Sequence, residues 1–203
     1  MSEGGAGQTV HDGVEGRATS EGATGRATRR GVELVPFAGL RPHPPLARFS
    51  LRGELRLLAS VLAAIGVPIS QGVCRAVTGE RCIALWLGPD EQLLLAQDAH
   101  GSQLAQLLSE QLATVPHSLV DISQRQVAFE IVGPFARTLL STGCPLDLAD
   151  EAFPVGMCTR TLFEKSEVVL WRSDPQAFHV EVWRSFAPYV TGLLAQAARE
   201  LGS

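Results

Sequence analysis

The chain has 203 residues, of which 45% are hydrophobic, 19% charged and 6% aromatic, and its formal net charge at pH 7 is −4. This composition is typical of one globular domain or two small ones that fold without disulfides or a structural metal. The bases form no long run, and the longest apolar stretch, 57–65, is too short to span a bilayer, so we expect neither nucleic acid nor a membrane as a partner.

The first 45 residues are predicted to form a disordered tail rich in Gly and Pro. Residues 1–30 contain seven Gly and no Leu, Ile, Phe, Trp or Tyr, so they bury too little apolar surface to offset the entropy lost on ordering. The stretch 41–45 contains three Pro and is expected to be extended. The folded domain is therefore predicted to span 46–203.

Strand and helix signals alternate along the first half of this domain. A helix over 53–66 is predicted from apolar residues at helical spacing, with Gly66 and Pro68 as its stop signal. A second helix is predicted around 104–112, with Asp98 or Ser102 as its N-cap. Short apolar runs between turn signals predict strands over 47–51, 73–77, 82–87 and 92–96.

The second half repeats this order. Apolar and polar residues alternate over 126–132, which predicts a half-buried strand. A helix is predicted to start with Pro134 at its first position and to end at Gly143, and Ser185 is predicted to cap a final helix. Further strands are predicted over 117–122, 158–163, 167–172 and 177–183. Hairpins separated by helices predict an α+β fold, with helices packed on antiparallel sheets.

Motifs for catalysis or nucleotide binding are absent from the sequence. No G-x-G-x-x-G follows a strand, and neither G-x-x-x-x-G-K-[ST] nor G-x-S-x-G occurs. The His residues are scattered, and His179, which alternates with Phe178 and Val180, is expected on the solvent face of a sheet. We therefore predict no catalytic, cofactor-binding or metal-binding residue in this chain.

The cysteines, Cys74, Cys82, Cys144 and Cys158, form no C-x-x-C pair and have no His at zinc spacing. They are predicted to be buried free thiols. The sequence starts without a basic segment followed by an apolar stretch, so we expect no secretory signal and a cytoplasmic protein.

One polar cluster lies between two predicted strands and consists of Asp121, Ser123 and Arg125. An Asp, a hydroxyl and an Arg would bind an anion or a substrate amine. Alternatively, Asp and Ser side chains bond local backbone groups and form a turn, which is the interpretation we favour.

A second pattern combines Trp-Arg pairs at the ends of two predicted strands with aromatic residues just downstream. Trp, Tyr and Arg are enriched in the hot spots of protein interfaces, but they are also common at the edge of a core. Under the first interpretation, the residues predicted to contact a partner are Trp171, Arg172, Trp183, Arg184, Phe186 and Tyr189.

Six segments of the folded part form a distinctive set. They are Leu51-Arg-Gly53, Ala84-Leu-Trp-Leu-Gly-Pro-Asp-Glu91, Val120-Asp-Ile-Ser123, Gly143-Cys-Pro-Leu-Asp-Leu148, Phe153-Pro-Val-Gly-Met-Cys-Thr-Arg-Thr161 and Val182-Trp-Arg-Ser-Phe-Ala-Pro-Tyr189. In this order they resemble the gamma subunit family of the bacterial heterotetrameric sarcosine oxidases, from about residue 46 to the C-terminus.

The resemblance implies a fold similar to the folate-binding domain of aminomethyltransferases. It also implies a flavin-dependent complex that oxidises sarcosine to glycine with tetrahydrofolate and oxygen and releases hydrogen peroxide. The partners would be the alpha, beta and delta subunits. FAD, FMN, NAD and tetrahydrofolate would lie on the larger subunits and zinc on the delta subunit. This chain is then expected to bind no cofactor and to be a non-catalytic structural subunit.

Three positions depart from the aminomethyltransferase pattern. Gln126 stands where a Gly commonly follows the basic residue, Ser166-Glu167 replaces an acidic pair, and Trp183 stands near the position of an Asn. We infer that the ancestral folate pocket is closed or converted into contact surface. The alternative is a stand-alone folate-binding protein of the same fold group, but the Lys-Gly-Cys-Tyr-x-Gly-Gln-Glu signature of such proteins is absent here.

Overall fold

The computed structural model describes residues 28–29, 32–68 and 72–202, so the predicted disorder of 1–27 lies outside the described residues. The helices are α1 (Leu55–Ala64), α2 (Gly101–Leu112), α3 (Ala136–Ser141) and α4 (Ala187–Leu201). The strands are β1 (Thr28–Arg29), β2 (Val32–Glu33), β3 (Leu40–Pro42), β4 (Leu46–Gly53), β5 (Ala76–Thr78), β6 (Ile83–Gly88), β7 (Glu91–Gln97), β8 (His117–Asp121), β9 (Gln126–Val132), β10 (Cys158–Phe163), β11 (Ser166–Asp174) and β12 (Ala177–Trp183).

Two five-stranded sheets form the centre of the molecule. Sheet 1 has the strand order β5-β6-β7-β4-β8, and sheet 2 has the order β10-β11-β12-β9-β3. All neighbouring strands in both sheets are antiparallel. The predicted α+β class with antiparallel sheets is confirmed.

Helices cover the outer face of each sheet, and the two inner faces pack on each other. The α1 and α2 helices pack on side chains of sheet 1 such as Phe49 and Leu94. The α3 and α4 helices pack on side chains of sheet 2 such as Phe129 and Phe178. A third apolar cluster, which includes Leu85 and Val169, lies between the sheets. The order of layers is therefore helices, sheet 1, sheet 2, helices.

This layering makes the prediction of a half-buried strand over 126–132 wrong. Successive side chains of a strand point to opposite faces. Phe129 and Ile131 of β9 belong to the cluster under α3 and α4, whereas Ala128 belongs to the cluster between the sheets. Both faces of β9 are covered, because the face opposite the helices packs on the other sheet.

The ordered domain begins before residue 46, which corrects the predicted boundary. The β3 strand pairs with β9 and extends sheet 2. Val32 is buried, and the Val35 N–H donates a hydrogen bond to Thr191 Oγ1 on α4 (3.0 Å). Residues 32–45 are thus part of the fold, although the prediction that the Pro-rich stretch is extended is confirmed at Leu40–Pro42.

The helix starts differ from the predicted caps. The N-cap residue of α2 is His100, because a 3₁₀ turn over Asp98–His100 precedes the helix. The α3 helix starts at Ala136, so Pro134 precedes it. At α4 the Phe186 carbonyl accepts a helical hydrogen bond from the Val190 N–H (2.9 Å), which makes Phe186 rather than Ser185 the N-cap.

A buried ion pair joins the two sheets. Arg48 of β4 donates from Nε to Glu181 Oε2 of β12 at 2.6 Å, and the side chains are 3% and 0% exposed. The second carboxylate oxygen of Glu181 accepts a hydrogen bond from His179 Nε2 (2.9 Å). Burial alone would raise the pKa of Glu181, but the His179 hydrogen bond and the Arg48 charge outweigh it and hold that pKa below its usual range.

The prediction that His179 lies on a solvent face is therefore wrong. Its side chain lies between the sheets and is 2% exposed. A second bridge between the sheets joins Glu91 of β7 to Arg160 of β10, with Nη2 to Oε1 at 2.7 Å. Arg52 also reaches Glu91 at 2.7 Å. Charged side chains thus pair across the sheet interface at two places.

Replacing Arg48 with Met should leave the Glu181 charge buried without its main partner. We expect the free energy of unfolding, measured by urea denaturation, to fall by about 3–5 kcal/mol. The double variant Arg48→Met/Glu181→Leu should be more stable than Arg48→Met, because it removes the uncompensated charge. The control is Arg56→Met, whose ion pair with Glu54 is exposed and should contribute nothing measurable. An Arg48→Met variant as stable as the control would contradict this account.

Candidate partner interface

Three exposed aromatic side chains lie where β12 leads into α4. Trp183 ends the strand, Phe186 is the N-cap of the helix and Tyr189 lies in its first turn. Their exposed fractions are 40%, 44% and 39%. Residues three apart on a helix lie on the same side, which places Tyr189 above Phe186. We call these three residues, with Arg125 and Arg184, the Trp183 surface.

Two Arg residues flank Trp183. The Arg125 guanidinium lies over the Trp183 ring, with Cζ 4.9 Å from the ring centroid. The Arg184 N–H donates to the Arg125 carbonyl (3.0 Å), and its Nη1 lies 3.4 Å from the Gln124 carbonyl oxygen. The loop before β9 and the end of β12 are therefore held together, and they present an indole with cationic neighbours.

The polar cluster that precedes this loop is a turn, as the favoured interpretation predicts. The Ser123 N–H donates to Asp121 Oδ1 (2.8 Å), and Ser123 Oγ donates to the same oxygen (2.5 Å). Ser123 Oγ also accepts the N–H of Arg48 (2.8 Å). Asp121 and Ser123 thus fix the chain between β8 and β9, and the third residue, Arg125, belongs to the Trp183 surface.

Trp171 and Arg172 lie away from this surface. Arg172 is 3% exposed, and its guanidinium donates to the Phe153 carbonyl (2.9 Å) and the Pro175 carbonyl (2.7 Å). It also bonds Asp150 (2.8 Å), and this hydrogen bond and charge hold the pKa of that carboxyl below its usual range. Arg172 therefore anchors the loop before β10.

Trp171 is half-buried on the inner face of sheet 2. Its ring centroid lies 5.7 Å from that of His179. The indole Nε1 is buried and has no hydrogen-bond acceptor among the described residues. The structure thus separates the two Trp-Arg pairs, because Trp171-Arg172 falls within β11 whereas Trp183-Arg184 falls at the end of β12.

The thiols are free in the structure, and Cys82, Cys144 and Cys158 are buried while Cys74 is half-buried. Burial raises the pKa of Cys82 to about 11 and that of Cys158 to about 12. Both thiols are protonated at neutral pH, and a thiol rather than a thiolate is a poor nucleophile. These two side chains pack as small apolar groups.

A group of possible metal ligands lies on the inner face of sheet 2. His43, Glu130 and His179 each offer a ligand atom, and these atoms lie within 4.8 Å of one another. The sequence does not reveal this group, because its members come from three different parts of the chain and share no spacing motif.

None of the helices in the described ranges has both the length and the apolar character required of a bilayer-spanning segment.

Comparison with known proteins gives one consistent result. Residues 53–200 match the sarcosine oxidase, gamma subunit family. The chain is 33% identical over 147 residues to a sarcosine oxidase subunit gamma from Corynebacterium sp. (strain P-1), which covers 71% of each chain. It is 34% identical over 146 residues to the corresponding subunit from Arthrobacter sp., again covering 71% of each.

Solved structures show the same relationship. The fold is similar to a chain of the heterotetrameric sarcosine oxidase from Corynebacterium sp. U-96 in complex with pyrrole 2-carboxylate, with a TM-score of 0.72 and 28% identity over 81% of this chain and 85% of that one. It is also similar to the glycine cleavage system aminomethyltransferase T from Bartonella henselae, with a TM-score of 0.57 and 14% identity over 77% of this chain and 45% of that one. The second likeness confirms the predicted aminomethyltransferase-like fold.

Substitutions of Arg172 and Arg184, the Arg residues of the two Trp-Arg pairs, should differ in their effect on the free energy of unfolding. Arg172→Met leaves buried carbonyls without donors and should lower the free energy of unfolding by about 2 kcal/mol or more. Arg184→Met, at the surface, should leave it nearly unchanged. Urea denaturation of both variants measures the difference, and equal effects would contradict the placement of Arg172 as an internal anchor.

Proposed function

Because the chain belongs to the sarcosine oxidase gamma subunit family, we propose that it is a structural subunit of a heterotetrameric, flavin-dependent sarcosine oxidase. The observation that carries this proposal is the match of 81% of the chain to a component of a heterotetrameric sarcosine oxidase. The complex oxidises sarcosine to glycine with tetrahydrofolate and oxygen, and it releases hydrogen peroxide.

The chain itself has a non-catalytic role. The buried charged side chains Arg48, Glu181, Glu91 and Arg172 are all bonded within the fold, and the first three bridge the two sheets. Such groups hold strands in place and are not directed towards a substrate. Gln126 and Trp183, which replace small or polar residues of the aminomethyltransferase pattern, are register partners on β9 and β12, so both departures fall at one place in sheet 2.

The partners are the alpha, beta and delta subunits, in the cytoplasm. FAD, FMN, NAD and tetrahydrofolate belong to the larger subunits and the zinc of the complex to the delta subunit, so this chain supplies no cofactor to the reaction.

The Trp183 surface is the proposed contact with a neighbouring subunit. Aromatic and Arg side chains at the centre of an interface contribute most of its binding energy. The arrangement of Arg125 over Trp183, with Arg184 beside it, fits a partner surface with an apolar pocket bordered by carboxylates. We leave Trp171 and Arg172 out of this contact, since Arg172 is buried and bonded within the chain.

Phe186 and Phe135 offer a matched test of the contact. Each is the exposed N-cap residue of a helix, with exposed fractions of 44% and 59%. The chain should be tagged and expressed with the genes that neighbour its own, and the co-purified subunits and their flavin absorption recorded. Phe186→Ser should weaken assembly by ~10-fold or more, because a hot-spot residue contributes about 2 kcal/mol. Phe135→Ser should not.

Equal losses for the two variants would remove the Trp183 surface from the interface. A tagged chain that emerges alone and colourless would contradict the subunit role itself. Binding of tetrahydrofolate to the isolated chain at micromolar concentration would contradict its non-catalytic, cofactor-free character.

Expressed without its partners, the chain should self-associate or precipitate, because an unoccupied contact surface exposes apolar area. Sedimentation at increasing protein concentration measures this. Phe186→Ser should reduce the association more than Phe135→Ser does. A stable monomer at high concentration would count against an obligate subunit.

A further inference from the structure

The register of sheet 2 brings His43, Glu130 and His179 onto one face. His179 on β12 lies directly opposite Glu130 on β9. On the other side of β9, Arg41 of β3 lies opposite Glu130. The pairing of these two segments extends past the end of β3, because the His43 N–H donates to the Ala128 carbonyl (3.1 Å). Because side chains two residues apart share a face, His43, Glu130 and His179 all face sheet 1.

Hydrogen bonds fix the tautomers of both imidazoles. His179 Nε2 donates to Glu181 Oε1 (2.9 Å), so Nδ1 is the acceptor nitrogen of that ring. His43 Nδ1 donates to the Pro44 carbonyl (3.2 Å), so Nε2 is its acceptor nitrogen. A ring nitrogen that donates to a carboxylate or a backbone carbonyl is the usual outer partner of a metal-bound His. The two rings are packed edge to face, with centroids 5.1 Å apart.

We propose that His43, Glu130 and His179 bind a divalent transition-metal ion of the zinc class. Their ligand atoms lie within 4.8 Å of one another, and ligands of a tetrahedral Zn²⁺ ion are roughly 3.4 Å apart, given metal–ligand distances of about 2.1 Å. His43 and Glu130 are half-buried, and binding would draw these two side chains closer to His179 than they lie in the structure. Two imidazoles favour zinc, copper or nickel over magnesium or calcium.

Solvent reaches this group through a cavity. The cavity has a volume of 270 Å³ and is lined by His43, His179 and Trp171, together with Arg81 and Cys82. Two imidazoles and one carboxylate leave a coordination position for water, which the cavity supplies. The Trp171 side chain lines the same cavity beside the two imidazoles.

The ion would fasten the connection between the two sheets. His43 lies between β3 of sheet 2 and β4 of sheet 1, and the other two ligands lie on the interior strands β9 and β12 of sheet 2. Bound metal would therefore hold the β3–β4 connection against β9 and β12.

The test uses the full chain purified without a polyhistidine tag, stripped with a chelator and kept at a concentration at which sedimentation shows it dispersed. Zn²⁺ titrated calorimetrically should bind with one ion per chain at micromolar concentration or tighter. His43→Gln and Glu130→Gln should each weaken binding by ~10-fold or more, the loss expected even for an outer partner of a metal ligand. The control is His117→Gln, because His117 also bonds a nearby carbonyl through Nδ1 (2.7 Å to Val115) but is exposed and does not belong to the group of three ligands.

Co²⁺ substituted for Zn²⁺ identifies the ligands. Ligation by nitrogen and oxygen gives weak visible bands without the intense thiolate charge-transfer absorption that Cys82 would produce. No stoichiometric binding, a thiolate spectrum, or affinity unchanged in both His43→Gln and Glu130→Gln would overturn the proposal. Both variants alter half-buried side chains, and near-ultraviolet circular dichroism checks that each variant is folded.

Discussion

The ion pair between Arg48 and Glu181 is the contact on which the arrangement of the two sheets depends. It joins the interior strands β4 and β12 at 2.6 Å, and the two side chains are 3% and 0% exposed. A buried charge without its partner is costly, so the sheets must meet in the register that brings the two groups together. His179 completes the coordination of the carboxylate. The buried Glu181 carboxylate thus fixes β4 relative to β12 through Arg48, and it also orients the His179 imidazole.

The layer around this pair also positions the proposed contact surface. Trp183 lies two residues after Glu181 on the same strand, so the register that pairs Glu181 with Arg48 also sets where the indole emerges. The Ser123 hydroxyl, bonded to the Arg48 N–H, holds the loop from which Arg125 reaches over Trp183. A rigid interior therefore supports an exposed surface at one end of sheet 2, which suits a subunit whose task is to dock.

Local signals in the sequence predict the elements well, while contacts between distant segments escape them. The strands over 126–132, 158–163 and 177–183 are found at the predicted bounds. The turn at Asp121 and Ser123 was predictable because its hydrogen bonds span two residues. His179 was misplaced because alternation has the same period whether the second face meets water or another sheet. The sarcosine oxidase gamma subunit family was predicted from six motifs in a fixed order, and the match of residues 53–200 to that family confirms it.

Non-local pairing explains the remaining differences. The β3 strand joins sheet 2 by pairing with β9, about ninety residues further along the chain. The local composition around β3 does not show this partner, so it predicts a disordered tail. The grouping of His43, Glu130 and His179 likewise exists only in the folded sheet. Which aromatic residues meet a partner stays a prediction from residue type and exposure.

An electron cryomicroscopy structure of the complex purified from co-expressed subunits would show which surface of this chain contacts its neighbours. We expect Trp183, Phe186 and Tyr189 to be buried against a neighbouring subunit, with Arg125 and Arg184 facing carboxylates and every flavin bound elsewhere. A map in which this surface remains in solvent, or in which a flavin contacts this chain, would contradict this expectation.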